Sequence, residues 1–381
     1  MRRTGWMGLV AACGLAACGG SSGDAPSGSP DAAIGGATGG AGFGGETPAG
    51  GVTGGAGFGG ETPAGGTTGG APAGGAGFGG ETPVGGEPGL APWPVDDDTP
   101  WTPTTPAGVS GEVAGVPESG PPDCADTFVG AVRGWVAAPG GAPVEGAKAQ
   151  LCIHLSPSDS LLCLQPGTTG ADGVFTINVP EQNRCITRSA MRVLLPDAGK
   201  ATTYCPVPVE GAPSVIRRDS PFVLFQTKRP ITLPPEGDGA AREVVFDDGL
   251  VVEFTPSQWY SGGGVYDELG ARRVPVDSVG LCLPEDAAPF AGLYAFYPEG
   301  AADEGVAFPV HLPNVDGFAP GSQVELSVLG GLDCKLTDGT AIPEATWAVV
   351  GTATVSPDGA RIDSDPGVGL PCTTWLGYRP L

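Results

Sequence analysis

The chain has 381 residues, 68 of them Gly and 41 Pro, with a formal net charge of −24. That charge excludes a general affinity for nucleic-acid phosphates, which takes clustered Lys and Arg, and no basic residue occurs between Arg3 and Arg133. Gly40, Gly42, Gly44 and Gly45 break any three-residue period, so a collagen helix is excluded as well. Residues 35–89 hold 26 Gly in 55 positions, whereas residues 124–381 hold 31 in 258. Only the second stretch has the composition to bury a core.

Residues 1–18 open with Arg2 and Arg3 and continue as an uncharged, largely apolar run from Gly5 to Ala17. The run is shorter than the roughly 20 residues needed to cross a bilayer and has the form of a secretory h-region. Its end, Leu15-Ala16-Ala17-Cys18, resembles the lipobox of bacterial lipoprotein signal peptides. The resemblance implies that Cys18 becomes the lipidated N-terminus and that the partner is a membrane, reached through the acyl chains. Gly19 follows where lipoproteins retained at the inner membrane usually carry Asp, so the expected location is the outer membrane, on its periplasmic or cell-surface side.

Residues 19–123 carry 12 acidic and no basic side chains. The nonapeptide Gly-Ala-Gly-Phe-Gly-Gly-Glu-Thr-Pro stands unchanged at 40–48, 55–63 and 75–83. Each copy offers one Phe, too little apolar surface to offset ordering entropy, so these residues are expected to form a disordered acidic tether. As a flexible coil it would reach about 55–60 Å. From Pro88 to Pro122 it turns Pro-rich and stiffer, and Asp96-Asp97-Asp98 reads as a solvated spacer. Gly40 to Gly45 satisfies the dinucleotide pattern G-x-G-x-x-G and Gly19 to Gly23 the esterase pattern G-x-S-x-G. Neither lies between a strand and a helix, so neither carries its chemistry.

Without Cys13 and Cys18, eight cysteines remain: Cys124, Cys152, Cys163, Cys185, Cys205, Cys282, Cys334 and Cys372. An even number in an exported chain predicts four disulfides. No C-x-x-C pair exists and His154 and His311 are the only histidines, so no metal site and no cofactor are expected. Cys152 and Cys163 flank a turn-forming Ser-Pro-Ser-Asp and should face each other across a hairpin. Cys185 with Cys205 is a further expected pair. One bridge should join the two folded domains, most simply from Cys124.

From Phe128 onward, short apolar runs alternate with Gly, Pro and Asp-Gly turns, the pattern of an all-β sandwich. Gly134-Trp135-Val136, then Ala142-Pro143-Val144-Glu145-Gly146-Ala147, then Thr168-Thr169-Gly170-Ala171-Asp172-Gly173-Val174-Phe175-Thr176-Ile177 resemble the carboxypeptidase regulatory-like domain. The resemblance implies a transthyretin-like or collagen-adhesin-B-like sandwich over 124–235 that spaces, stabilises or binds and is not itself catalytic. It also raises a Lys-Asn crosslink known in some adhesin relatives, for which Lys148 and Asn178 are the nearby residues.

After a Pro- and Gly-rich join at 230–239, strand-like runs resume through 236–381 with Asp-Gly turns at 248, 316, 338 and 358, and a strand is expected at Val279–Leu283. Residues 294–300, 308–313 and 347–351 are similar to ankyrin- and netrin-receptor-type β-sandwich modules. The fold class expected is therefore all-β, two antiparallel β-sandwich domains behind a long disordered Gly/Pro-rich tether.

His154 and His311 both fall in predicted strands, where a packed histidine outweighs a catalytic base, and no nucleophile motif accompanies them. Trp259 and Tyr260, with Trp375 and Tyr378, offer a stacking platform for sugar rings or a docking patch; core packing between sheets is the competing reading. The sequence points to a non-catalytic cell-envelope lipoprotein for surface binding, adhesion or structure, with envelope glycans or proteins as partners and no nucleic acid. A carbohydrate-binding protein or accessory to secreted hydrolases is the alternative, and an unrecognised hydrolase the third.

Overall fold

Strict alternation builds the strands, since side chains two residues apart share a sheet face. The computed structural model describes residue 96 and residues 98–381, apart from 156–159, 197, 229, 263–265, 267 and 285–287. Cys18, Cys13 and the three nonapeptides lie outside the described residues. All described residues belong to one compact unit, and among them only 3-10 turns interrupt the strands and loops.

The first part contains β1 (Ala131–Ala137), β2 (Lys148–Leu155), β3 (Ser160–Cys163), β4 (Gly167–Thr168), β5 (Val174–Asn178), β6 (Ile186–Leu194), β7 (Thr203–Pro206), β8 (Val215–Arg217) and β9 (Phe222–Val223). They form two facing sheets, one ordered β5-β1-β8 with β9 also on β1, the other β3-β2-β6-β7 with β4 on β2. Pairing is antiparallel except where β8 and β9 run parallel to β1. Val132, Leu151, Ile153, Phe175, Ile186 and Phe222 are buried in the core between them. The three sequence blocks quoted above fall on β1, on the entry to β2 and on β4 to β5. At the Asp172-Gly173 turn, Gly173 has φ +75° and a Cβ there would stand 2.4 Å from the Val136 carbonyl oxygen, so only glycine fits.

The second part is one ten-stranded sheet plus a small two-stranded sheet. Its strands are β10 (Ile231–Thr232), β11 (Arg242–Val245), β12 (Val251–Phe254), β13 (Trp259–Ser261), β14 (Glu268–Val274), β15 (Gly292–Tyr297), β16 (Gly300–Ala302), β17 (Val310–Pro313), β18 (Gln323–Leu329), β19 (Trp347–Val355), β20 (Arg361–Ser364) and β21 (Trp375–Pro380). The order is β10-β14-β15-β21-β18-β19-β20-β17-β12-β11, with β13 paired to β16. The sheet curls around its core and brings Phe246, just after β11, to 6.3 Å from Phe296 of β15, ring centre to ring centre. Residues 279–283, expected as a strand, are irregular instead: Cys282 there is tied by a disulfide to β7 rather than to a sheet neighbour.

The acidic stretch is part of this body from Asp96 on, which corrects the expectation of a solvated spacer and of a tether continuing to residue 123. Asp96 Oδ2 accepts from the Gln226 amide at 2.6 Å and from Arg272 Nη1 at 2.5 Å, with Lys200 Nζ 3.7 Å from its other oxygen. Asp98 takes the second arm of Arg272. Trp101 then packs edge-on against Trp135 at 6.3 Å. Val109, in the 3-10 turn Ala107–Ser110, is 1% exposed against the outer face of β1. We call residues 96–111 the strap. Its conformation follows from charge: Arg272 is 4% exposed, a guanidinium does not give up its proton, and a buried cation must be paired.

Removing one partner of a buried ion pair leaves the other uncompensated. Arg272→Leu is expected to lower unfolding free energy by about 3–5 kcal/mol, measured by urea denaturation; a loss below about 1 kcal/mol would show that the clamp does not hold the strap.

Candidate functional site

The two β parts meet through an apolar patch, an ionic weld and a disulfide. Trp375 lies on β21, a central strand, yet its outward face is covered by the first part: the indole Nε1 donates to the Thr202 carbonyl at 2.8 Å and the ring meets Phe225 edge-on at 5.6 Å. Next to it, Glu299 is 5% exposed. Its Oε2 accepts from Arg192 Nε and Nη2 at 3.0 and 2.9 Å, and its Oε1 accepts from the Tyr204 hydroxyl and from the Leu332 amide at 3.1 Å. Burial, and then the Glu299 charge, push the Tyr204 phenol well up, so Tyr204 stays a neutral donor. For Arg192, burial opposes the charged form but the Glu299 charge and hydrogen bond outweigh it and raise its pKa. A carboxylate with four donors is satisfied in low dielectric.

This packing removes the expected stacking platform. Trp375 is 3% exposed, Trp259 4% and Tyr378 0%. Trp259 sits in the second core against Phe254 and Tyr266, and a Cβ on Gly300 would strike its ring at 2.4 Å. The Tyr378 hydroxyl donates to Asp316 at 2.6 Å. Tyr260 alone of the four is exposed. A ring face that is buried offers nothing to a sugar.

The eight cysteines form Cys124–Cys185, Cys152–Cys163, Cys205–Cys282 and Cys334–Cys372. Cys152 faces Cys163 in register, as the hairpin requires. The expected pairing of Cys185 with Cys205 is corrected. Cys185 sits just before β6 and bridges to Phe128, which brings it to Cys124, while Cys205 on β7 faces the second part. The bridge between the two parts therefore starts from Cys205 and not from Cys124. Lys148 Nζ donates to Thr168 at 2.8 Å and Asn178 lies opposite Ala131, so these two residues are not brought together for a crosslink.

Both histidines are held by ions. His154, 8% exposed, stands between Arg188 Nη2 at 2.9 Å and Glu344 Oε2 at 3.3 Å, the glutamate coming from the second part. His311 on β17 points away from the core with Glu253 of β12 and Asp363 of β20. Its Nδ1 is 2.7 Å from Asp363 and its Nε2 3.0 Å from Glu253. The carboxylates flank opposite edges of the ring, so they share no point where a metal ion would sit, and no group of three or more His, Cys, Asp or Glu fit to hold a metal occurs among the described residues.

One open cleft, of about 130 Å³, lies where the strap crosses the junction. Trp101, Phe225, Pro139 and Pro275 wall it, and Asp98 and Asp277 stand at it as carboxylates. Its walls come from four separated segments, 98–101, 139–140, 223–225 and 275–279, so no local motif announces it. Neither histidine and none of the four expected stacking residues lines it.

Against known proteins, no family model matches the chain and no curated protein does. Among solved structures, a crystal structure of BcpA, the major pilin subunit of Bacillus cereus, is similar at 10% identity over 64% of this chain and 85% of that one, with a TM-score of 0.17. A superposition that loose carries no weight for function. The regulatory-like and netrin-receptor-like readings rest on the quoted residues, and no family model supports them.

His311 supplies a pH test. Burial disfavours its charge, but the hydrogen bonds and charges of Glu253 and Asp363 outweigh that and raise its pKa above the ordinary 6.5. A group whose folded value is raised stabilises fully below its unfolded value and loses that contribution as pH rises through the folded one. The stability difference between the native chain and His311→Gln should therefore be up to about 1 kcal/mol near pH 5.5 and vanish near pH 8.5. Urea midpoints at both pH values check it; a difference that does not change with pH would contradict the pairing.

Proposed function

We propose that this chain is an outer-membrane lipoprotein, anchored through lipid at Cys18, that displays a non-catalytic β body for binding or for envelope structure. Residues 19–95, acidic and Gly-rich, act as the tether, and the body is the portion from Asp96 to Leu381. The observation that bears on display is the strap: the end of the acidic stretch is clamped at Arg272, which fixes where the tether leaves the body. Four disulfides and the Glu299 weld make that body stiff, as suits a module exposed to an oxidising envelope. The regulatory-like resemblance of 124–235 and the netrin-receptor-like resemblance of the second part support a spacer or binding role. With Trp259, Trp375 and Tyr378 in the interior, the sugar-platform alternative loses its residues.

The test is metabolic labelling with a radioactive fatty acid followed by membrane fractionation. The native chain should label and sediment with the outer membrane, and Cys18→Ala should lose both; labelling that persists in Cys18→Ala would refute the anchor.

A further inference from the structure

We propose that the cleft beside the strap binds an arginine side chain presented by a partner polypeptide. This rests on the reading of the chain as a binding module and names the chemistry of its site. Size comes first. A cavity of roughly 150 Å³ takes one benzene-sized molecule, so about 130 Å³ suits one side chain rather than a sugar ring with its hydroxyls, about twice as many heavy atoms.

Charge selects which side chain. No Lys, Arg or His lines the cleft, whereas Asp98 and Asp277 do. Arg272 and Lys200 beside it balance Asp96 and Asp98, which leaves Asp277 as the cleft's uncompensated charge. Asp98 gives Arg272 one oxygen and keeps the other, and Asp277 is exposed on a turn closed by the Ser278 amide donating to the Pro275 carbonyl at 3.1 Å. An anionic ligand is therefore repelled and a cationic one attracted.

The walls refine the choice. Trp101, half-buried, offers aromatic surface and Pro100, Pro139, Pro275 and Val279 offer apolar surface, while Phe225, 1% exposed, offers none. A guanidinium is weakly hydrated, stacks on aromatic rings and meets carboxylates in a planar fork, while its three-carbon stem lies against apolar walls. A lysine ammonium keeps its hydration more tightly and gains less here. Because Asp98 and Trp101 belong to the strap, the site exists only while the strap is docked.

The experiment uses the mature chain from Cys18 with 5-fluorotryptophan at its six Trp positions, the Trp101 signal being assigned by Trp101→Phe. Titration with Nα-acetyl-arginine amide should shift that signal saturably, with a Kd of about 1–10 mM, weakening as salt is raised. Asp277→Asn should weaken binding by about fivefold or more, the other five signals staying in place to show an intact fold. The neutral isostere, blocked citrulline, should give no saturable shift. A Trp101 signal that ignores arginine, that responds equally to citrulline, or that responds to methyl glucoside instead would overturn the assignment. If it ignores arginine while the chain still retains envelope proteins in a pull-down, the cleft fails and the binding-module reading stands; if it responds while nothing is retained, the cleft stands and that reading fails.

Discussion

Arg272 sets the terms for the rest of the molecule. It is one of two consecutive arginines on β14, it points into the junction, and at 4% exposure it cannot be left without a counter-charge. Asp96 and Asp98 supply it from 176 and 174 residues away, and Asp96 bears a cost for doing so. Burial pushes its carboxyl up, against the Gln226 amide, Lys200 and Arg272, which all favour the anion. The pairing draws the end of an acidic, Pro-rich segment onto the body, and that segment then covers Trp135, turns at Val109 and leaves a cleft between itself and both β parts.

The junction follows the same logic of satisfied burial. Glu299, Arg192 and Tyr204 are each poor residues to bury alone and tolerable together, because every charge and hydroxyl meets a partner. The Cys205–Cys282 bridge and the Trp375 contact lie beside them. The two β parts consequently behave as one mechanical piece, with the tether entering at the seam where they meet. A ligand in the cleft would touch all three at once, so binding and display are joined in one place.

Alternation made part of the strand content legible, though not at Val279–Leu283, which alternates and is irregular. The Cys152–Cys163 hairpin follows from its flanking runs. β14 was not legible, because Gly270-Ala271-Arg272-Arg273 breaks the alternation and its buried arginine answers to a distant partner. The same holds for the strap: Asp96 and Asp98 have the composition of solvated sequence, and the distant Arg272, Lys200 and Gln226 amide hold them. Trp259, Trp375 and Tyr378 show the converse limit. Composition identifies an aromatic residue but not which of two faces its neighbour covers, and for Trp375 that neighbour is the other β part. The cleft, assembled from four separated segments, has no sequence signature at all.

That the strap is part of the folded body, and not the last stretch of a spacer, is tested most directly by hydrogen exchange of the full chain. Val109 and Gly111 donate to Pro106 and Gly108 within the 3-10 turn, and the Gln226 amide donates to Asp96. These amides should exchange slowly in the native chain, and much faster in Arg272→Leu. Exchange over residues 98–111 at the rate of a free coil in the native chain would contradict the account.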